Sequence, residues 1–186
     1  MKKLVLFCLA LSLIACVPKQ SFKPIDRSES EYRNYHGMFS FELPQGKDWY
    51  EIKSSVFGKK LKTEGQSFIT SVTVGKVKRN FNTPEEFLSF FKRIRNKQND
   101  PNQFKILKNT EELNSKFGNY CSKFEQIAEE YGKGILKIKG YTCLHSQHPH
   151  NFISIQYSER SKSGDISSDI ITEGERFIES LKINKI

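Results

Sequence analysis

The stretch YCSKFEQIAEEYGKGILKIKGYTCL, Tyr120 to Leu144, holds two alternating runs around Tyr131-Gly132-Lys133. Alternation of apolar and polar residues marks half-buried strands, and a three-residue loop whose glycine takes positive φ closes two of them into a hairpin. Centred on Gly132, the register makes definite matches. Cys121 and Cys143 each stand eleven residues from the glycine, so they face each other. Glu125 meets Lys139, a favourable cross-strand charge pair. The other face collects Tyr120, Phe124, Ala128, Leu136, Ile138 and Leu144, a surface suited to a core. A slip of one residue would destroy all three matches at once. Opposed cysteines with Cα atoms ~4.5 Å apart can reach disulfide geometry, so a Cys121–Cys143 disulfide is expected. Two free thiols in a strand pair are the plainer alternative.

Around the hairpin the same period recurs. Gln66–Lys78 is β-branched and strand-like, Phe104–Leu107 and Phe152–Tyr157 read as strands, and Phe39, Phe41 and Leu43 alternate up to a break at Pro44-Gln45-Gly46 before Trp49 and Ile52 resume. In NTPEEFLSFFKRIRN, Asn82–Asn96, the period changes. Thr83 can cap, Pro84 suits the first helical position, Glu85 and Glu86 suit the positive end, and Phe87, Leu88, Phe91 and Ile94 share a face. A last helix is expected after Gly164 and Asp165, running to about Leu181 with Ile170, Phe177, Ile178 and Leu181 as its stripe. Strand runs with one helix inserted and one closing give an α+β domain: an antiparallel sheet of about six to seven strands packed by two helices.

The N-terminus supplies an address. Lys2 and Lys3 precede the uncharged apolar run Leu4–Ala15. That is the layout of a secretory signal, and it is too short for a bilayer span, which takes ~20 residues. Leu13-Ile14-Ala15-Cys16 resembles the lipobox of bacterial lipoproteins. The resemblance implies cleavage before Cys16, a diacylglycerol on its thiol and acylation of the new N-terminus. Several acyl chains, at ~0.8 kcal/mol per buried CH₂, hold a protein stably in a membrane. Val17 follows where an aspartate would favour retention in the inner membrane, which leans toward the outer one. The expected organisation is a signal peptide at 1–15, a lipid anchor and flexible tether at 16–34, and a single α+β domain at 35–186.

Removing residues 1–15 takes Lys2, Lys3 and Cys8, leaving 171 of 186 residues and lowering the formal charge from +9 to +7. Such a length supports one real core. With Cys16 lipidated, Cys121 and Cys143 are the two thiols left, in a compartment that permits disulfides. The positive charge reads as spread along the chain, so with an exported address no nucleic-acid partner is expected.

FSFELPQGKDWYEI, Phe39–Ile52, resembles the opening hairpin of PsbP-like domains, in which a strand runs into Leu-Pro, a glycine turn and a tryptophan. GERFIESLKI, Gly174–Ile183, is similar to their closing segment. Lys47 and Asp48 stretch the step from glycine to tryptophan. That family includes a photosystem accessory subunit and many bacterial lipoproteins of unknown role, and its fold implies no shared catalytic site.

The chain has no Gly-rich phosphate loop, Gly-x-Ser-x-Gly, His-Glu-x-x-His or Cys-x-x-Cys. Glu111 and Glu112, like Glu129 and Glu130, are neighbours that a strand sends to opposite faces, which is poor for paired acid–base work. One cluster invites a metal: His145, His148 and His150 in HSQHPHN, with His36 too remote to join on sequence grounds. A polar loop that tolerates histidine is the simpler account, because a metal site needs three or four rigidly held ligands. The expectation is a non-catalytic cell-envelope lipoprotein without a cofactor, partnered by the membrane through its anchor and by another envelope protein. An envelope enzyme or metal-binding protein using the loop from His145 to His150 is the alternative. A deep pocket with convergent polar groups would favour the alternative, and a broad shallow face would favour binding.

Overall fold

A computed structural model describes residues 23–26, 32–35 (backbone only), 37–162 and 166–185. Cys16, the signal segment, His36, Gly164 and Asp165 lie outside the described residues.

The hairpin sets the register of everything around it. Strands β8 (Cys121–Glu130) and β9 (Gly134–Leu144) pair from Cys121↔Cys143 through Glu125↔Lys139 to Glu130↔Gly134, turning at Gly132 with φ 76°. On one side β8 pairs with β7 (Phe104–Leu113), which bulges between Ile106 and Lys108. On the other, β9 pairs with β10 (Asn151–Ser161) and β10 with β6 (Ser67–Lys76). The short strands β5 (Val56–Lys59), β4 (Trp49–Lys53) and β1 (Lys23–Pro24) complete an antiparallel sheet of eight strands, ordered β1-β4-β5-β6-β10-β9-β8-β7. A second sheet, β11-β3-β2, is built from β2 (Tyr32–Tyr35), β3 (Phe39–Glu42) and β11 (Lys182–Ile183).

The fold is α+β, with three departures from the expected layout. The strands are more numerous than the six to seven expected, because the short β1, β2, β5 and β11 carry too little periodicity to stand out. Phe39–Ile52 is not a hairpin: β3 lies in the small sheet and β4 in the large one, so the break at Pro44-Gln45-Gly46 carries the chain between sheets. The segment expected as a flexible tether also holds structure. Lys23 and Pro24 pair with Glu51 and Tyr50, Ile25 is buried, and Tyr32–Tyr35 pairs with β3.

The helices fall where capping and stripe place them. In α1 (Pro84–Lys97) the Thr83 side chain accepts from the Glu86 N–H, and Phe87 and Phe91 are buried. In α2 (Ser168–Glu179) Phe177 and Ile178 are buried, as is Leu181 just beyond. The helices cover opposite faces of the large sheet. Alternation puts Phe57, Phe68, Val72, Cys121, Tyr141, Cys143, Ile153, Ile155 and Tyr157 on one face. These join Phe39 and Phe41 of the small sheet and Phe177 and Ile178 of α2 in the main core. The disulfide Cys121–Cys143, with Cα atoms 4.1 Å apart, lies within it. The hairpin face expected to form the core thus faces α1, and the cysteine face carries the main core.

Acidic side chains hold α2 in place. Trp49 Nε1 donates to Glu173 Oε2 at 2.7 Å, the Tyr157 hydroxyl to Glu175 at 2.7 Å and the Tyr141 hydroxyl to Glu179 at 2.9 Å. Burial, with Glu175 alongside, raises the pKa of both tyrosines. Gly174 permits this close seat, since a Cβ there would stand 2.6 Å from the Phe68 ring and 2.9 Å from Tyr157.

Candidate binding surface

The other face of the large sheet is built differently. Three direct cross-strand pairs set an aromatic ring over a glycine: Tyr50 over Gly58, Phe152 over Gly75 and Phe124 over Gly140. A Cβ on any of these glycines would stand under 3 Å from the ring, so glycine makes room for the rings, and at Gly140 also for the Ile155 carbonyl, which a Cβ would meet at 2.2 Å. Between the rings the face is polar. Ser71, Ser154, Gln156 and Ser158 are half-buried and Thr73 is exposed, with Val56, Ile69 and Ile138 interspersed.

Helix α1 covers part of this face. Its N-terminal half packs Phe87 and Phe91 on Val77, Leu144 and Phe152, and its C-terminal half lies along β7 and β8. Arg95 is the key side chain there. Its guanidinium stacks 3.3 Å from the centre of the Phe124 ring, donates to both oxygens of Glu111 at 3.3 and 3.4 Å and reaches Thr142 Oγ1 at 3.1 Å. Ser122 Oγ adds a 2.8 Å bond to Glu111, whose side chain is 1% exposed. A buried carboxylate survives this way because a cation and a hydroxyl replace its water. Clefts of about 420 Å³ and about 180 Å³ flank Arg95, and Gln98 and Gln156 line both. Beyond α1, across β10 and β6 to β5, the face presents hydroxyls and an amide among scattered apolar side chains.

The remaining sequence candidates sort clearly. His145 is buried and engaged at both nitrogens. Nδ1 accepts from the N–H groups of Gln147 and His148 at 3.1 Å each, so Nε2 carries the proton and donates to the Asn184 carbonyl at 2.9 Å. Burial holds its pKa below the usual histidine value, with nearby His148 adding to the effect. His145 is therefore a loop fastener, a more specific role than a tolerated histidine. The exposed His150 donates from Nδ1 to the Val77 carbonyl at 3.2 Å, and the His148 ring sits 5.0 Å from that of His145. The three histidines do not converge as ligands, and no group of three His, Cys, Asp or Glu side chains among the described residues could hold a metal ion. The acidic doublets split as alternation requires. Glu111 is buried under Arg95 and Glu112 exposed; Glu130 is buried against Lys133 and Arg160, which lower its pKa, and Glu129 faces the other way. A further hollow of about 560 Å³ at the sheet end, lined by Phe81, Phe117, Tyr120, Leu144 and His145, is mostly apolar.

Sequence reasoning missed Arg95 and the glycine-seated rings. An arginine four residues after Phe91, beside the apolar stripe, was the available signal for the first. Register was the signal for the second, since Phe124 and Gly140 are equidistant from Gly132.

An eight-stranded antiparallel sheet with a helix and a small sheet on one face and a helix on the other defines an α+β domain. No protein-family model matches the sequence, and no curated protein does. Among solved structures, LpqN, described as involved in cell envelope biogenesis of Mycobacterium tuberculosis, superposes with a TM-score of 0.53 at 13% identity, over 80% of this chain and 86% of that one. The Ran-binding protein Mog1p of Saccharomyces cerevisiae gives 0.42 at 9% identity, over 80% of this chain and 92% of that one, too low to support inference. The likeness to LpqN is one of fold.

Proposed function

We propose that this protein is a non-catalytic, lipid-anchored protein of the cell envelope that binds another envelope component through the open half of its large sheet. The observation that carries the reading is Leu13-Ile14-Ala15-Cys16 at the end of a charged-then-apolar leader. The disulfide in the core is consistent with folding in an oxidising compartment. The fold shared with LpqN, itself described as an envelope-biogenesis protein, is a supporting analogy. Val17 favours the outer membrane. The hydroxyl-lined face suits a partner that offers hydrogen bonds over a wide area.

Palmitate-analogue labelling tests the anchor. The wild type takes up label and partitions into detergent, whereas Cys16→Ser does neither and accumulates as precursor. Equal labelling of both overturns the anchor. A photo-crosslinker in place of Gln156 tests the face. It should trap one envelope component in cells, while the same group in place of the exposed Arg176 of α2 should not.

A further inference from the structure

The cations that look dispersed along the sequence gather in space. Lys76, Lys78 and Arg79 leave the end of β6, and Lys92 and Arg93 stand on the exposed side of α1; all five are exposed. Two half-buried rings tie the groups together. The Arg79 guanidinium lies 5.0 Å from the Phe81 ring and 5.5 Å from Phe90, and the Arg93 guanidinium lies 5.8 Å from the same Phe90 ring. The acidic residues of α1, Glu85 and Glu86, sit in its first turn, where the helix dipole favours them and where Glu86 accepts from the Asn82 N–H. The patch keeps a net positive charge around two phenyl rings. Cations interleaved with aromatic groups are what a membrane interface favours: the charges meet anionic headgroups and the rings the boundary beneath.

We infer that this patch rests on the anionic headgroups of the membrane that holds the anchor, an inference that builds on lipidation at Cys16. Chain length supports it. Lys23 is already paired to Glu51, so only residues 17–22 separate Cys16 from the sheet. Seven fully extended steps reach at most about 25 Å, which keeps β1 near the bilayer. From β1 to the Lys76 end of β6 is three strand spacings across, about 14 Å, and six residues along, about 20 Å. One lipid surface can therefore meet both the anchor and the patch.

The test uses the mature chain with Cys16→Ser, so that binding does not depend on lipidation, in sedimentation with sucrose-loaded vesicles. Binding should rise steeply as phosphatidylglycerol replaces phosphatidylcholine, and fall as salt is raised. Each cation lost near an anionic surface weakens binding about fivefold, so Lys78→Glu, Arg79→Glu and Arg93→Glu together should weaken it more than a hundredfold. Reversal of Lys105 and Lys108 on the far edge strand β7 should change it by less than threefold. A circular dichroism melt of each variant checks that the domain is folded. Equal binding to both lipids, equal effects of the two reversals, or no vesicle binding overturns the headgroup assignment and leaves an acidic protein as the patch's partner. Palmitate labelling of the wild type reports on the anchor separately, so the two readings can fail independently.

Discussion

The two faces of the large sheet solve different problems with the same strands. The face under α2 carries Phe57, Phe68, Ile153, Ile155 and Tyr157, and packs against a helix and a second sheet. The face under α1 carries Ser71, Thr73, Ser154, Gln156 and Ser158 between glycine-seated rings, and is only partly covered. Close-packed apolar surface supplies stability, whereas an uncovered polar face contributes little to it and is open to a partner. The contrast places the apolar core on one side and leaves the other as the proposed recognition face.

Truncation should expose the asymmetry most strongly. Phe177 stacks edge-on against Phe41 and Phe57 at 5.7 and 6.3 Å, in the interior between the two sheets. Phe177→Ala should cost about 4 kcal/mol in urea unfolding. Phe91→Ala, in the smaller cluster under α1, should cost about 3 kcal/mol. On the open half Gln156→Ala should stay within about 0.5 kcal/mol. A loss at Gln156 as large as at Phe177 would abolish the distinction.

Arg95 and Glu111 come next, because they put a buried charge pair under the helix on the polar side. Arg95→Met alone strands the Glu111 carboxylate and should cost about 3 kcal/mol. Arg95→Met combined with Glu111→Leu removes the charge together with its partner, and should recover most of that loss. A double variant as unstable as the single one would show that the network is held by geometry and not by charge.

Reduction of Cys121–Cys143 should lower stability by roughly 3 kcal/mol on the chain-entropy account, and less if the hairpin persists in the unfolded chain. Alkylation of the unfolded, unreduced protein should find neither cysteine free. Because the sulfurs lie inside the folded core, the loss should appear as a lower denaturation midpoint.

Much of this contrast was readable from residues. The hairpin announced itself because Gly132, the two cysteines and the Glu125–Lys139 pair all depend on one register. The α1 boundary was equally plain, since Thr83 and Pro84 act locally. Which hairpin face would be buried was not, because both are apolar near the cysteine end and only the topology decides what stacks on each. The second sheet stayed hidden for the same reason: β3 and β4 are adjacent in sequence, yet β3 pairs with β2 and the distant β11 whereas β4 pairs with β1 and β5. The cationic patch was obscured because its members come from two elements about fifteen residues apart.

A pH-dependent effect distinguishes the sheet's end from both faces. His145 is neutral in the fold because two backbone N–H groups already point at Nδ1, and a proton there would face two donors. Its ring also meets the edge of Phe39 at 5.4 Å, an apolar neighbour that offers the charged form nothing. The folded pKa lies below the unfolded value of 6.5, so the unfolded chain binds the proton first. Stability is then full above pH 6.5 and declines as pH falls from there toward the folded pKa. Glu130, lowered chiefly by its hydrogen bond to Lys133 and further by Arg160, gives a separate decline that begins only near its ordinary value of 4.5. Urea midpoints measured from pH 7.5 to 5 should therefore fall for the wild type and run flatter for His145→Leu. That variant starts from a lower midpoint, because the Asn184 carbonyl and the two loop N–H groups lose their partner. An unchanged slope in His145→Leu would move the titration to another group and remove His145 as the fastener of the loop.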